Sequence, residues 1–351
     1  MANMAQAIRM ALHVGESRLG VTDIFGEDVG APLGGVFTAT QGLKTAWNTP
    51  LDERGIISTA IGLGLAGDRC VAEIQFCDYI FNTIDLLKMA GNMLWASNGQ
   101  YNLPIVVMTP VGAGIRGSIY HSHSFDSWAT RLAGWKVVCP SNPLDAYGLL
   151  ISAIKDPNPV LYLKPKALMR IRGEDLIPGE PSDEKLLKSM IDAPIGDRKT
   201  WKPRWPELAE HAIPIGVGTV TRSGQNATLV SYGRTLPLCN KVADVLSQEG
   251  ASIEVIDLRS LYPYDWQMVK KSVQKTGRVL FVNEDTDVTN FGEHLAYRAT
   301  SELFYELMAR PRVLAGKNLP GIGLHPSLEE ASVPHFEDIL HETRALLMEM
   351  P

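Results

Sequence analysis

Cysteine is scarce in this chain. Cys70, Cys77, Cys139 and Cys239 are its four cysteines in 351 residues. They have neither the paired spacing of a zinc site nor the density of a small disulfide-stapled scaffold, and they read as buried thiols in a reducing compartment. Long apolar runs are missing too. The longest, such as 56–66, are broken by glycine and polar residues and fall short of the roughly 20 residues that span a bilayer, so a soluble protein with no membrane partner is expected. Residues 1–18 lack the basic start, long apolar stretch and small-residue cleavage site of a targeting signal. A cytoplasmic location is expected, or the mitochondrial matrix for an organellar form already processed. Basic charge is not in excess: 33 Lys and Arg stand against 39 Asp and Glu, a net charge of −6, which argues against a phosphate-backbone footprint and against nucleic acid as a partner. Finally, no Gly-Asp-Gly segment with a downstream Asn occurs, the arrangement that holds a diphosphate through a divalent metal. Any cofactor with such a charged end would need that end bound elsewhere, which implies a partner chain.

What is present is an alternation of short apolar strands and amphipathic helices. The length exceeds that at which single cores usually stop growing, so two domains are expected. Strand character marks 21–25, 70–74, 105–108, 136–139 and 160–163, and helical periodicity marks 53–66, 78–96 and 143–154. This predicts an α/β fold with a mainly parallel sheet covered by helices over residues 1–170. Residues 171–214 are rich in proline and charge, including Pro178, Pro181, Pro194, Pro203 and Pro206, and read as a linker or surface insertion. A second α/β domain is expected over 215–351. Its strands are predicted at 227–232, 252–257 and 279–283, and its helices at 236–248, 265–275, 291–308 and 335–348.

Two stretches match G-x-G-x-x-G, and neither has the context of a dinucleotide fingerprint. Gly62-Gly64-Gly67 lies inside a helical pattern, where glycine allows close packing. Gly112-Gly114-Gly117 follows a strand but runs into Ile119-Tyr120-His121 instead of a clean helix. Glu53 stands at a predicted helix start, where a carboxyl complements the helix dipole; the apolar turns that follow would carry it to the edge of a buried element, where it needs a partner. Glu73 is one polar residue in a strand, suited to face an Arg or a backbone amide. His121, after a Gly-rich loop and between Tyr120 and Ser122, suits a titratable group that must approach a reacting centre. His121 and His123 could also ligate a metal, but no nearby Cys or carboxylate completes a set. No Gly-x-Ser-x-Gly elbow supports a serine hydrolase.

Taken in order, Phe25-Gly26-Glu27-Asp28-Val29-Gly30, Gly34-Gly35-Val36-Phe37, 49–55, 72–79, Tyr120-His121-Ser122, Asp156-Pro157-Asn158-Pro159 and 256–263 resemble the β subunit of the thiamine-diphosphate-dependent 2-oxo acid dehydrogenase decarboxylase component, a transketolase-like family. The resemblance covers nearly the whole chain. It implies a pyrimidine-binding domain followed by a transketolase C-terminal-like domain, and a thiamine diphosphate shared with an α subunit that holds the diphosphate through magnesium. By position, Glu53 would hydrogen-bond the pyrimidine ring nitrogen, Gln75, Phe76 and Tyr79 would line the ring, and His121 would face the reacting group and supply a proton during acyl transfer. Asp156 and Asn158 match a monovalent-cation site, potassium, found in some members. The implied reaction is oxidative decarboxylation of a 2-oxo acid and reductive acylation of a lipoyl group, in an assembly of two α and two β subunits that docks on a lipoyl acyltransferase.

The wording around Gln75 and His121 leans towards a branched-chain 2-oxo acid, with a pyruvate enzyme as the alternative. A non-catalytic assembly subunit is the alternative of another class, opposed by Glu53, Tyr79 and His121 occurring together; a stand-alone thiamine enzyme is opposed by the missing diphosphate motif. Three departures from the family pattern stand out: the long Pro-rich segment, Asn283-Glu284-Asp285 where many members have His-Glu, and His123 where Gln is common.

Overall fold

The computed structural model describes residues 1–196 and 200–350; residues 197–199 of the expected 171–214 segment, and residue 351 of the expected second domain, lie outside the described residues. The chain gathers into two compact units. Unit 1 comprises Met1–Pro110, Arg131–Lys164 and Leu168–Ile215, and unit 2 comprises Val111–Thr130, Pro165–Ala167 and Gly216–Pro351.

In unit 1, strands β1 (Val21–Gly26), β2 (Ala46–Asn48), β3 (Arg69–Glu73), β4 (Ile105–Val111), β5 (Lys136–Val138) and β6 (Val160–Pro165) stand in the order β5-β6-β4-β3-β1-β2. The β1–β2, β1–β3, β3–β4 and β5–β6 pairings are parallel. β3, β4 and β6 are buried almost end to end, as strands covered on both faces must be. The helices are α1 (Met4–Arg18), α2 (Glu53–Ala66), α3 (Ile84–Ala96), α5 (Pro143–Lys155) and α6 (Glu184–Ile191). Local chemistry sets their ends. Asn3 and Gln6 form a capping box at α1, Asn142 caps α5 ahead of Pro143, and Gly67 closes α2 in the left-handed conformation. The helix predicted over 78–96 is broken: Cys77–Thr83 is a 3-10 turn and α3 starts at Ile84.

The Pro-rich segment, read from sequence as a linker or insertion, packs as part of unit 1. Among its described residues α6 is the one helix or strand, yet Leu187, Ile191, Leu208 and Ile213 join the buried cluster of α1 and α5. Trp205 stacks on His13 with ring centroids 4.2 Å apart, and the fully buried Arg9 donates to the Ile191 carbonyl at 2.6 Å and pairs with Asp192 at 3.0 Å.

Unit 2 has β7 (Thr219–Arg222), β8 (Ala227–Ser231), β9 (Ile253–Asp257), β10 (Ser260–Tyr262), β11 (Val279–Thr286) and β12 (Arg312–Gly316), with a sheet in the order β12-β11-β8-β9-β7. All its pairings are parallel except β7 with β9, which is antiparallel at the edge. Its helices are α4 (Asp126–Ala129), α7 (Thr235–Gln248), α8 (Trp266–Thr276), α9 (Phe291–Leu303), α10 (Pro326–Glu330) and α11 (Phe336–Met348). Leu229, Val255 and Leu280 of the sheet pack with Val242 and Leu246 of α7 and Ile339 and Leu346 of α11. The helix expected to reach residue 308 ends at Leu303, followed by a 3-10 turn over Phe304–Glu306. The α/β architecture read from sequence is the one observed, with a mainly parallel sheet in each unit. No helix among the described residues is long and apolar enough to cross a membrane.

Candidate functional site

The chain leaves β1, forms β2 on one side of it, and then crosses back to form β3 on the other side. A reversal of this kind opens a crevice at the carboxyl ends of the strands. β1 and β3 are in register there, with Gly26 opposite Glu73; a Cβ on Gly26 would stand 2.4 Å from the Glu73 carbonyl oxygen, so only glycine permits this approach. Glu27 and Asp28 follow β1, Gln75, Phe76 and the 3-10 turn follow β3, and α2 begins at Glu53 directly after the loop from β2.

Glu53 is 9% exposed. Its N-cap, Asp52, is extended and gives no side-chain cap, so the Glu53 carboxyl supplies the negative charge that the helix start favours. Asn82 Nδ2 donates to Glu53 Oε2 at 3.2 Å, which fixes the carboxyl's rotation. Arg54 turns away and grips Asp85 through two contacts of 2.6 and 2.9 Å. Gln75 donates to Asp28 Oδ2 at 3.0 Å, and Phe76 and Tyr79 meet edge to face with centroids 6.1 Å apart. Glu53, Gln75, Phe76 and Tyr79, all expected from the sequence, thus share the carboxyl end of one sheet.

Glu27 is the residue that sequence reading passed over. It is 8% exposed, and its Oε1 is buried with no hydrogen-bond partner among the described residues. Burial raises its carboxyl above the usual range, and the charges of Glu53 and Asp28 push it the same way. Asp28 has a positive φ of 55°, a strained turn of the kind that gathers at functional sites. The available signal was Glu27's place in Phe25-Gly26-Glu27-Asp28, yet burial of a single carboxyl after a strand comes from packing distant in sequence. Glu73 has a structural job: it forms an ion pair with Lys164, both side chains being fully buried, and accepts from the Val36 amide at 3.3 Å.

His121 belongs to unit 2. Its loop carries positive φ at Gly112, Gly114, Arg116 and Ser118, and it ends in a 3-10 turn over Ser118–Tyr120. The glycine-rich stretch cradles carboxylates. Ala113 N–H donates to Glu284 Oε2 at 3.1 Å, and a Cβ on Gly112 would fall 1.8 Å from Glu284 Oε1. Burial raises the Glu284 carboxyl above its usual range, opposed by Arg234, which stands 3.6 Å away. Asp126, fully buried at the start of α4, is raised well above its ordinary value by burial and then by Asp285 and Glu284. The first glycine stretch behaves as a packing device: a Cβ on Gly64 would meet Leu103 at 2.7 Å.

Asp156 and Asn158 lie in the loop that enters β6, at the amino end of the parallel sheet and away from Glu53. Lys136 pairs with the Asp156 carboxylate, Asn158 N–H donates to its Oδ1 at 3.0 Å, and Arg69 donates to its carbonyl at 3.3 Å. Lys136 and Arg69 already use two of the Asp156 oxygens that a bound cation would need, so Asp156 as it stands does not fit a potassium ion. Among the described residues no group of three or more His, Cys, Asp or Glu converges to hold a metal.

Residues 1–172 match the transketolase pyrimidine-binding domain and residues 216–339 the transketolase C-terminal domain. The chain is 35% identical over 326 residues to the mitochondrial 2-oxoisovalerate dehydrogenase subunit beta 2 of Arabidopsis thaliana, covering 91% of this chain and 82% of the relative. It is 33% identical to the pyruvate dehydrogenase E1 component subunit beta of Leifsonia xyli subsp. xyli, covering 85% and 81%. The chain belongs to the 2-oxo acid dehydrogenase β-subunit family. A solved structure titled "Split gene transketolase, inactive beta4 tetramer" superposes over 100% of both chains with a TM-score of 0.72 at 17% identity, a likeness of fold. In the β-subunit family frame, Glu27 and Glu53 fall within the pyrimidine-binding domain match, as do Ala113 and Asp126, while Arg234, Glu284 and Asp285 fall within the C-terminal match.

Proposed function

We propose that this chain is the β subunit of a thiamine-diphosphate-dependent 2-oxo acid dehydrogenase, acting with an α subunit to decarboxylate a 2-oxo acid and acylate a lipoyl group. The observation that carries the reading is the pair of buried carboxyls, Glu53 and Glu27, at the carboxyl end of the sheet that also carries the edge-to-face pair Phe76 and Tyr79. The unpartnered Oε1 of Glu27 and the anchored carboxyl of Glu53 fit the nitrogens of an aminopyrimidine, and the aromatic pair fits its ring. When bound, the cofactor supplies an electron sink for the bond broken in decarboxylation. Glu53 holds a proton between its carboxyl and the pyrimidine ring nitrogen. Glu27, raised by burial and by its acidic neighbours, takes up a proton more readily than an exposed glutamate and so limits the negative charge of the crevice. Gln75 and Asp28 lock each other and keep the rim polar, and His121 donates a proton to the sulfur released during acyl transfer.

The α subunit is the source of magnesium and diphosphate contacts, two α and two β subunits form the assembly, and a lipoyl acyltransferase is the docking partner. A branched-chain 2-oxo acid is the proposed substrate, supported by the sequence wording at 73–76 and 120–122 and by the 2-oxoisovalerate relative. A pyruvate substrate is the second reading, favoured by the pyruvate dehydrogenase relative at 33% identity. Potassium at Asp156 and Asn158 enters no step. Co-expression with a candidate α subunit and a decarboxylation assay across 3-methyl-2-oxobutanoate, pyruvate and 2-oxoglutarate tests the proposal. Turnover of the branched substrate at the highest kcat/KM is expected; turnover of none would sink the enzymatic reading.

A further inference from the structure

The loop that carries His121 would not hold its conformation by local preference. Gly112, Gly114, Arg116 and Ser118 have φ of 82°, 109°, 56° and 61°, and two of these are residues with side chains, for which the left-handed region is unfavourable. Something outside the loop must stabilise it. Glu329, the fourth residue of α10, accepts from the Gly114 N–H at 3.1 Å and from the Arg116 N–H at 2.9 Å, both on its Oε2. With left-handed residues alternating along the loop, the Gly114 and Arg116 amides aim at one point, and a carboxylate there makes charge-assisted bonds to both. The same segment packs on the loop in two further places. Ala113, Ile322 and Val333 form a small buried apolar cluster, and a Cβ on Gly321 would fall 2.2 Å from Ile119 Cγ2. Between Arg116 and His121 the chain closes tightly, since a Cβ on Gly117 would stand 2.4 Å from His121 Cβ. A shift at Arg116 is therefore passed to the imidazole.

We infer that Glu329 is a positioning residue for His121, holding the strained 112–121 loop so that the imidazole meets the acyl-transfer centre. This rests on the proposed role of His121 as proton donor in that step. Glu329 makes no contact with substrate or cofactor in this account; it acts through two backbone amides, so an acceptor of the same length should replace it.

The experiment uses the full chain assembled with its α subunit, comparing wild type, Glu329→Ala, Glu329→Gln, Glu329→Asp and His121→Ala. Hydrogen exchange over 112–121, lipoyl-domain acylation and dye-coupled decarboxylation are measured for each. Glu329→Ala should exchange about tenfold faster at the loop amides, as expected for losing two bonds to a charged acceptor. Lipoyl acylation should fall about tenfold while dye-coupled decarboxylation stays within about twofold, a split in the range of general-acid effects. Glu329→Gln, whose amide oxygen still accepts, should stay near wild type in all three, with Glu329→Asp between it and alanine. Unchanged exchange in Glu329→Ala, or acylation and decarboxylation falling in proportion, would overturn the positioning role. His121→Ala with normal acylation would instead refute the proton-donor reading. Impaired His121→Ala beside unimpaired Glu329→Ala would refute the positioning inference alone.

Discussion

Removing Glu73 should destabilise unit 1 more than any surface change, because of what it leaves behind. The side chains of Glu73 and Lys164 are both 0% exposed and pair with each other. With Glu73→Ala, the Lys164 ammonium has lost its counter-charge in a position that water does not reach. Breaking a buried pair from one side costs about 3–5 kcal/mol, and the Val36 amide that Glu73 also accepts from adds about 1 kcal/mol for a lost acceptor. The expected net loss is about 3–5 kcal/mol, most of it from the unpaired charge. Against a domain stability of about 5–15 kcal/mol, that brings unit 1 close to unfolding. Replacing both partners with apolar residues of similar size, Glu73→Leu with Lys164→Met, removes the unpaired charge and should recover most of the loss. Urea unfolding followed by tryptophan fluorescence reads the difference as a shift in midpoint at constant slope. A Glu73→Ala loss below about 1 kcal/mol, the scale of an exposed pair, or a double variant no better than the single, would refute the reasoning.

Glu53→Gln keeps size and polarity but cannot exchange a carboxyl proton with the pyrimidine, so the assembled enzyme should fold normally and lose most decarboxylation, at least about 10²-fold; steady-state turnover and circular dichroism together check this. Asp126→Asn tests the buried acidic cluster of unit 2. The folded-state pKa of Asp126 is raised well above its ordinary value by burial, then by Asp285 and Glu284. The stability it allows is therefore full below about pH 4, the unfolded value, and is lost as pH rises towards the folded value. The amide variant should be more stable than wild type at pH 7 with a flatter decline, read from thermal unfolding across pH 4–8; a steeper decline would show that Asp126 is not a burial-penalised acid.

Helices with strong ends were the most legible part of the chain. The span 53–66 read from sequence is the span observed for α2, because Pro50 stops an earlier helix and Gly67 supplies the left-handed close. What sequence did not reveal were edge strands and interruptions. β2, β7 and β12 have three to five residues each, too short for a period-2 pattern, and their pairing is decided by neighbours distant in sequence. The break at Ile84 was hidden because a 3-10 turn and an α-helix carry the same apolar spacing over a few residues. The packing of the Pro-rich segment was hidden for a related reason: proline excludes regular backbone, but Leu208 and Ile213 bury their side chains and Trp205 partly buries its own. At the site, Glu53, Gln75, Phe76 and Tyr79 were visible as an acidic and aromatic pattern. Glu27 and Glu329 were not, since one acts through burial and the other through bonds to amides more than 200 residues away.

The most direct test of the half-site account is calorimetric titration of the isolated chain with thiamine diphosphate and magnesium, repeated after the α subunit is added. On the proposed reading, Glu53, Glu27 and the aromatic pair would hold the pyrimidine, while the diphosphate would stay solvated on this chain alone. Weak or absent heat without α, and tight binding with decarboxylation once α is present, are the predicted results. Tight binding at one site per chain together with decarboxylation by this chain alone would contradict the account.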